Sequence, residues 1–247
     1  MADSETMPPP PPKDDGPGLF EDLVDIIASP AKVFERRAKT GSAAAFFFVT
    51  IAFAAILYSG KSVMEPIMDA QLAKSQAAAV AANPSITPEQ QASMLAVGRK
   101  FAVVAMIVGV PIALLFLGLF IWIVGKALGA TLTYGAGLMI ASFSYVPRIL
   151  SGVITDVQGL LMSDTSALTN PAQLSIGPAR FFDPVTTNAA LLAILSRADV
   201  FLLWTTVLIG VGYIAAGKLS KEKAIAGAVI LWVLGGLMPI WGAIRSG

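Results

Sequence analysis

The sequence predicts an all-α, polytopic membrane protein with five transmembrane helices. Of its 247 residues, 55% are hydrophobic and only 13% are charged, whereas soluble domains carry about a quarter charged residues. Five apolar segments approach the roughly 20 residues that a helix needs to cross a bilayer. These predicted spans are residues 43–59, 101–124, 128–146, 200–216 and 224–244.

The first 17 residues, MADSETMPPPPPKDDGP, predict a disordered, proline-rich tail rather than part of the membrane domain. They are acidic and contain no apolar stretch or small-residue cleavage site, so they do not resemble a secretory signal. Residues 18–247 form the predicted five-span domain.

The segment GLFEDLVDIIASPAKVFERRAK precedes the first span and is amphipathic. Its apolar residues recur at helical spacing, and Ser29-Pro30 favours the start of a second helix. We expect two interfacial helices on the inner leaflet, with Val33 and Phe34 facing the bilayer and Arg36 and Arg37 reaching lipid phosphates. A docking site for a soluble partner is the alternative.

Two long loops separate spans one and two, and three and four. In the first, residues 61–82 predict a helix, and Thr87 and Gln90 in SITPEQQ form a capping box for another. We therefore expect a helical hairpin outside the membrane whose arms continue the first two spans, although its methionine-lined face could instead bind a partner. In the second, NAALLAILSR is too short to span and either lies flat or forms a re-entrant segment.

Basic residues predict the orientation. They precede the first span and occupy the short turns between spans two and three and between spans four and five. With five spans, all three regions lie on the same side of the membrane, which should be cytoplasmic. The N-terminus is then inside and the C-terminus outside a bacterial inner membrane. The residues are Lys32, Arg36, Arg37, Lys39, Lys126, Lys218, Lys221 and Lys223.

The run SYVPRIL places Arg148 in an apolar stretch, where an arginine is costly unless it has a function or lies at the boundary. Pro147 disfavours helical geometry at Val146, so we expect the third span to stop there and Arg148 to reach the outer headgroups beside Tyr145. The alternative is that Asp199 or Asp156 holds Arg148 inside the bundle.

Three runs resemble bacterial YIP-domain (Ypt/Rab-interacting protein) sequences. GKALGATLTYGAGLMIASFSYVP is similar to a Gly-Lys-x-x-Gly-x-x-x-x-Tyr…Tyr-x-x-Pro run, although Tyr145 and Pro147 are one residue closer. The matching positions are Gly125, Lys126, Gly129, Tyr134, Tyr145 and Pro147. Arg148 directly follows this run.

The second run begins with Asp-x-Phe-x-x-Trp and continues to Lys-x-Ser-x-x-Lys-Ala. The third run is Pro-x-x-x-Phe, in the amphipathic segment before the first span. The residues that carry them are Asp199, Phe201, Trp204, Lys218, Ser220, Lys223 and Ala224, with Pro30 and Phe34. The resemblance implies five spans and a cytoplasmic N-terminus. Its eukaryotic members act in vesicle traffic with small GTPases, and some bacterial members resemble accessories of export systems.

Composition narrows the function. The chain has neither cysteine nor histidine, which removes thiolate chemistry and the commonest metal ligand, so we predict no catalytic, metal or cofactor site. The near-neutral net charge of +1 argues against nucleic-acid binding.

We expect a non-catalytic scaffold or accessory subunit that contacts lipids and other integral membrane proteins, such as a transporter complex. The contacts would be made by the small-residue faces of the spans and by the amphipathic helices. The alternative is a transporter or channel subunit for an apolar or lipid substrate. No GTPase-binding epitope is visible.

Overall fold

In the computed structural model, the described residues, 18–41, 43–166 and 168–246, form helices, turns and loops without a β-strand. The predicted tail at 1–17 lies outside them. The α-helices are α1 (Leu19–Ala28), α2 (Pro30–Thr40), α3 (Ala43–Ser59), α4 (Lys61–Ala82), α5 (Pro88–Leu128), α6 (Tyr134–Ser144), α7 (Val146–Leu161), α8 (Ala189–Leu195), α9 (Val200–Ala215) and α10 (Lys221–Ser246). Short 3₁₀ turns lie at Pro171–Leu174, Pro178–Phe181 and Ser196–Ala198.

Three stretches in the described chain are long and apolar enough to cross a membrane. They are Val108–Leu128, Tyr134–Leu161 and Lys221–Arg245. Two bent pairs raise the number to five if each is one span: α3 with α4, bent by 83°, and the segment Ala189–Ala198 with α9, bent by 56°. The chain is therefore a multi-pass helical protein with three to five spans.

The bundle has two distinct ends. At the turn end, α5 joins α6 through residues 129–133 and α9 joins α10 through residues 216–220, and the Thr131 amide donates to the Gly217 carbonyl. The loop end carries α4, residues 162–166 and 168–188, and α8. Between them, Leu114, Ile121, Ile140 and Leu208 belong to one buried apolar cluster.

The third predicted span has wrong helix boundaries. Leu128 ends α5, and helix resumes only at Tyr134. Pro147 does not stop the helix: after a single turn residue, Tyr145, it lies in the first turn of α7, which continues to Leu161. Proline is tolerated there because the first amide groups of a helix have no intrahelical acceptor.

The predicted helical hairpin between the first two spans is confirmed for its second arm only. Thr87 and Gln90 form the predicted capping box, and α5 runs without interruption from Pro88 into the second span. The prediction that α4 continues α3 is wrong, because the chain bends by 83° at Gly60. A Cβ on Gly60 would lie 2.0 Å from Asp156 Oδ1, and Ser59 donates to Asp156 Oδ2 at 2.7 Å. This tight contact with α7 fixes the bend.

The N-terminal helices pack on the helical bundle. Val33 and Phe34 are fully buried in the main cluster, and the Phe34 ring meets Phe143 edge-on at 6.5 Å. The expectation that they face the bilayer is therefore wrong. Pro30 opens α2 as predicted, but the Ser29 side chain makes no capping bond.

Candidate functional site

The predicted site residues fall into three groups in the structure. Gly125, Lys126, Gly129, Lys218 and Lys223 gather at the turn end, whereas Pro30 and Phe34 belong to the N-terminal helix pair. The remainder lie on α6, at the turn between α6 and α7, on α7, or at the start of α9. They are Tyr134, Tyr145, Pro147, Arg148, Asp199 and Trp204.

Tyr213 organises the turn end and was missed from the sequence. Its hydroxyl donates to the Ile121 carbonyl at 2.8 Å. Gly125 and Gly227 lie against its ring, because a Cβ at either position would lie 2.9 Å from a ring carbon. The glycines at positions 125 and 227 thus serve packing within the chain.

Two further glycines of the small-residue span faces lie against neighbouring helices of the chain. A Cβ on Gly137 would meet the Gly118 carbonyl oxygen at 2.6 Å, and one on Gly212 would meet Ile140 at 2.7 Å. Gly129 ends α5 with φ +95°, a left-handed conformation that glycine adopts without strain. Gly137 and Gly212 therefore contact other helices of this chain and are not part of a small-residue face open to a partner.

The lysines of the turn end are exposed. Lys126, Lys218 and Lys223 all have accessible side chains, and Lys218 has φ +58° in the turn between α9 and α10. Together with Lys221 they form a basic rim around this end.

A buried carboxylate ties α1 to α2. The side chain of Asp22 is completely buried, and both Arg36 and Arg37 donate to it, Arg36 Nε at 2.6 Å. Arg36 Nη2 also reaches Asp25 Oδ2 at 2.7 Å. Burial acts against the charge of Arg36, but hydrogen bonds to Asp25 and Asp22 outweigh it and raise the pKa of this guanidinium.

This cluster corrects the prediction that Arg36 and Arg37 reach lipid phosphates. A sequence signal did exist, since Asp22 lies within the apolar stripe of Leu19, Leu23 and Ile26 rather than opposite it. A carboxylate in that position requires a cationic partner.

A cleft of about 1030 Å³ lies at the loop end. Its walls come from α4, α7, the 168–175 loop, α8, the start of α9 and the end of α10. Tyr145, Arg148 and Asp199 line it, so two of the resembling runs meet in this cleft. Pro147 is buried beside it, and Trp204 stacks on Phe201 one turn into α9.

Asp199 anchors the cleft. Its Oδ1 accepts from the Phe201 and Leu202 amides at 3.0 and 3.2 Å and so caps α9, while Oδ2 accepts from the Ile176 amide at 3.1 Å. Arg148 Nη1 lies 3.7 Å from Oδ1. The structure thus places Arg148 beside Asp199, one of the two carboxylates named in the alternative prediction, with its side chain partly exposed in the cleft.

Arg197 was not predicted as a site residue. Its guanidinium donates to the Trp232 carbonyl and lies 5.2 Å from the Trp232 ring centroid. Its backbone carbonyl accepts from Trp232 Nε1 at 3.2 Å. Gly235 and Gly236 make room for its side chain. In the sequence, the adjacent glycines Gly235 and Gly236 indicate that a bulky group packs closely against α10. The sequence does not show that this group is Arg197, which lies 39 positions before Gly236.

Comparison with known proteins identifies the chain at family level. The sequence model of the Yip1 domain matches residues 24–242. The chain is also similar to membrane protein YknW of Bacillus subtilis (strain 168), with 25% identity over 211 residues that cover 85% of this chain and 84% of the relative. No solved structure gives a significant match.

Proposed function

The chain belongs to the Yip1 domain family, and we propose that it is a non-catalytic integral membrane scaffold or accessory subunit of a membrane-protein complex related to export or trafficking. In this proposal it contacts lipid and other integral membrane proteins. The turn end and the N-terminal helices face the cytoplasm of a bacterial cell.

One observation carries the proposal: an apolar ridge on α1 that points away from the bundle. Phe20, Val24 and Ile27 are 78%, 54% and 48% exposed and recur at positions i, i+4 and i+7, which places them on one helix face. Exposed apolar residues grouped in this way mark interaction sites.

The opposite face of α1 holds this ridge in place. Asp22 binds Arg36 and Arg37 there, and Ile26 enters the main buried cluster. Because α1 is already held in place, little of its conformational entropy is lost when a partner binds the ridge. This favours association.

Affinity purification from membranes in mild detergent tests the proposal, with partners identified by mass spectrometry and their stoichiometry measured. We expect a stoichiometric integral membrane partner with the wild type, and its loss in a Phe20→Ser/Ile27→Ser variant. Phe181→Ser is the matched control, because Phe181 is equally exposed but lies at the loop end.

The transporter alternative makes a different prediction. If the purified chain alone moved an apolar solute or lipid across vesicle membranes, the scaffold proposal would be wrong. Retention of the partner by the ridge variant would equally contradict the role of α1.

A further inference from the structure

The cleft at the loop end combines cationic and apolar walls. Among the described residues that line it, Lys74, Arg148 and Arg197 are cationic and Asp199 is the one carboxylate. We propose that this cleft binds a phosphate-bearing amphiphile, with its anionic group between Arg148 and Arg197 and its apolar part against α9 and α10.

Asp199 leaves most of this positive charge unneutralised. Both of its oxygens already accept backbone amides, three in all, and Arg148 lies 3.7 Å from the nearer oxygen, beyond ordinary hydrogen-bond length. The side chain of Arg148 is 35% exposed. Its guanidinium can therefore donate to an incoming anion without breaking the cap of α9.

Arg197 supplies the second set of donors. A guanidinium has five N–H groups, and the Trp232 carbonyl accepts from Nη2. The contacts with the Trp232 ring and backbone hold the group in place. Arg197 also lines the cleft, so an oxyanion there meets a guanidinium whose position is fixed.

The remaining walls favour an amphiphile over a small ion. Leu202 on α9 and Pro239 and Ala243 on α10 line the cleft beside the arginines, and α4 adds Met64 and Ile67. The volume of about 1030 Å³ is at the upper end of the range for ligand pockets. Two arginines suit a tetrahedral phosphate, whose several oxygens can accept N–H donors from both.

The test uses the full chain in dodecylmaltoside micelles and measures binding by native mass spectrometry with three probes. They are dioctanoyl phosphatidic acid, inorganic phosphate, and uncharged dioctanoylglycerol. We expect saturable binding of phosphatidic acid, at least tenfold tighter than that of either other probe. If inorganic phosphate bound equally well, the apolar walls would not contribute to binding. If dioctanoylglycerol bound equally well, the arginines would not contribute. Either result would refute the proposal.

Variants locate the bound anion. Arg148→Gln and Arg197→Gln should each weaken phosphatidic acid binding at least tenfold, and Lys74→Gln, at an exposed position, about threefold. Arg99→Gln is the control, because Arg99 is paired with Asp69 on the exposed hairpin, and it should bind like the wild type. If Arg197→Gln fails to fold, Arg148→Gln still decides the matter, because Arg148 is 35% exposed and Asp199 keeps its three backbone amides without it. Wild-type affinity in a folded arginine variant would overturn the assignment.

Discussion

Arg148 and Asp199 join α7 to the start of α9, with 3.7 Å between guanidinium nitrogen and carboxylate oxygen. Arg148 directly follows the Tyr-x-Pro run, and Asp199 begins the Asp-x-Phe-x-x-Trp run. Two segments that are distant in sequence therefore meet in one cleft, and Asp199 also fixes the loop through Ile176.

Asp199→Ala should lower the free energy of unfolding by about 2–3 kcal/mol, because it removes a helix cap and leaves the Ile176 amide without its acceptor. Asp199→Asn should cost about half as much, since the amide oxygen can still accept. Denaturation in mixed micelles, followed by circular dichroism, measures both. Asp183→Ala, at an exposed loop position, is the control. Equal losses for Ala and Asn would show that charge, not capping, is the main contribution of Asp199.

Asp22→Ala should destabilise the N-terminal helix pair by about 3–5 kcal/mol, because it leaves Arg36 and Arg37 without their buried partner. Hydrogen exchange measures this directly, and we expect the amides of α1 to lose protection while those of α9 keep theirs. Asp25→Ala is the matched control: Asp25 pairs with Arg36 but is 39% exposed, so its effect should be small. Unchanged exchange in Asp22→Ala would contradict a pinning role for this carboxylate.

The sequence predicted the elements that local patterns determine. Helix α3 has the predicted bounds, residues 61–82 form α4, and Thr87 caps α5. Apolar run length and capping chemistry act within a few residues, so they are visible without a fold.

Features that depend on distant contacts could not be predicted in the same way. The bend at Gly60 depends on Asp156, which is nearly 100 positions away. The burial of Phe34 depends on Phe143, and the fixed position of Arg197 depends on Trp232. Tertiary partners decide each of these, and a single sequence does not show them.

Gly137→Ala and Gly135→Ala form a matched pair in one helix. A methyl group at 137 would lie 2.6 Å from the Gly118 carbonyl oxygen, whereas at 135 the nearest atom is 3.9 Å away. We expect Gly137→Ala to separate α5 from α6 and cost about 1–3 kcal/mol, and Gly135→Ala to be neutral or slightly stabilising. Thermal denaturation in detergent compares them. Equal melting temperatures would mean that α5 and α6 pack less closely than the structure shows.

Cysteine labelling tests the orientation cleanly, because the chain has no cysteine. The exposed lysines of the turn end, Lys126 and Lys218, should mark the cytoplasmic side, since basic residues are retained there. A membrane-impermeant maleimide should then label Phe181→Cys, at the loop end, in intact cells. Lys126→Cys and Lys218→Cys should be labelled only after permeabilisation. Leu208→Cys, buried in the bundle, should resist labelling in both conditions unless the chain is unfolded. The reverse pattern would place the N-terminal helices outside the cell, and the ridge of Phe20, Val24 and Ile27 could then not serve a cytoplasmic contact.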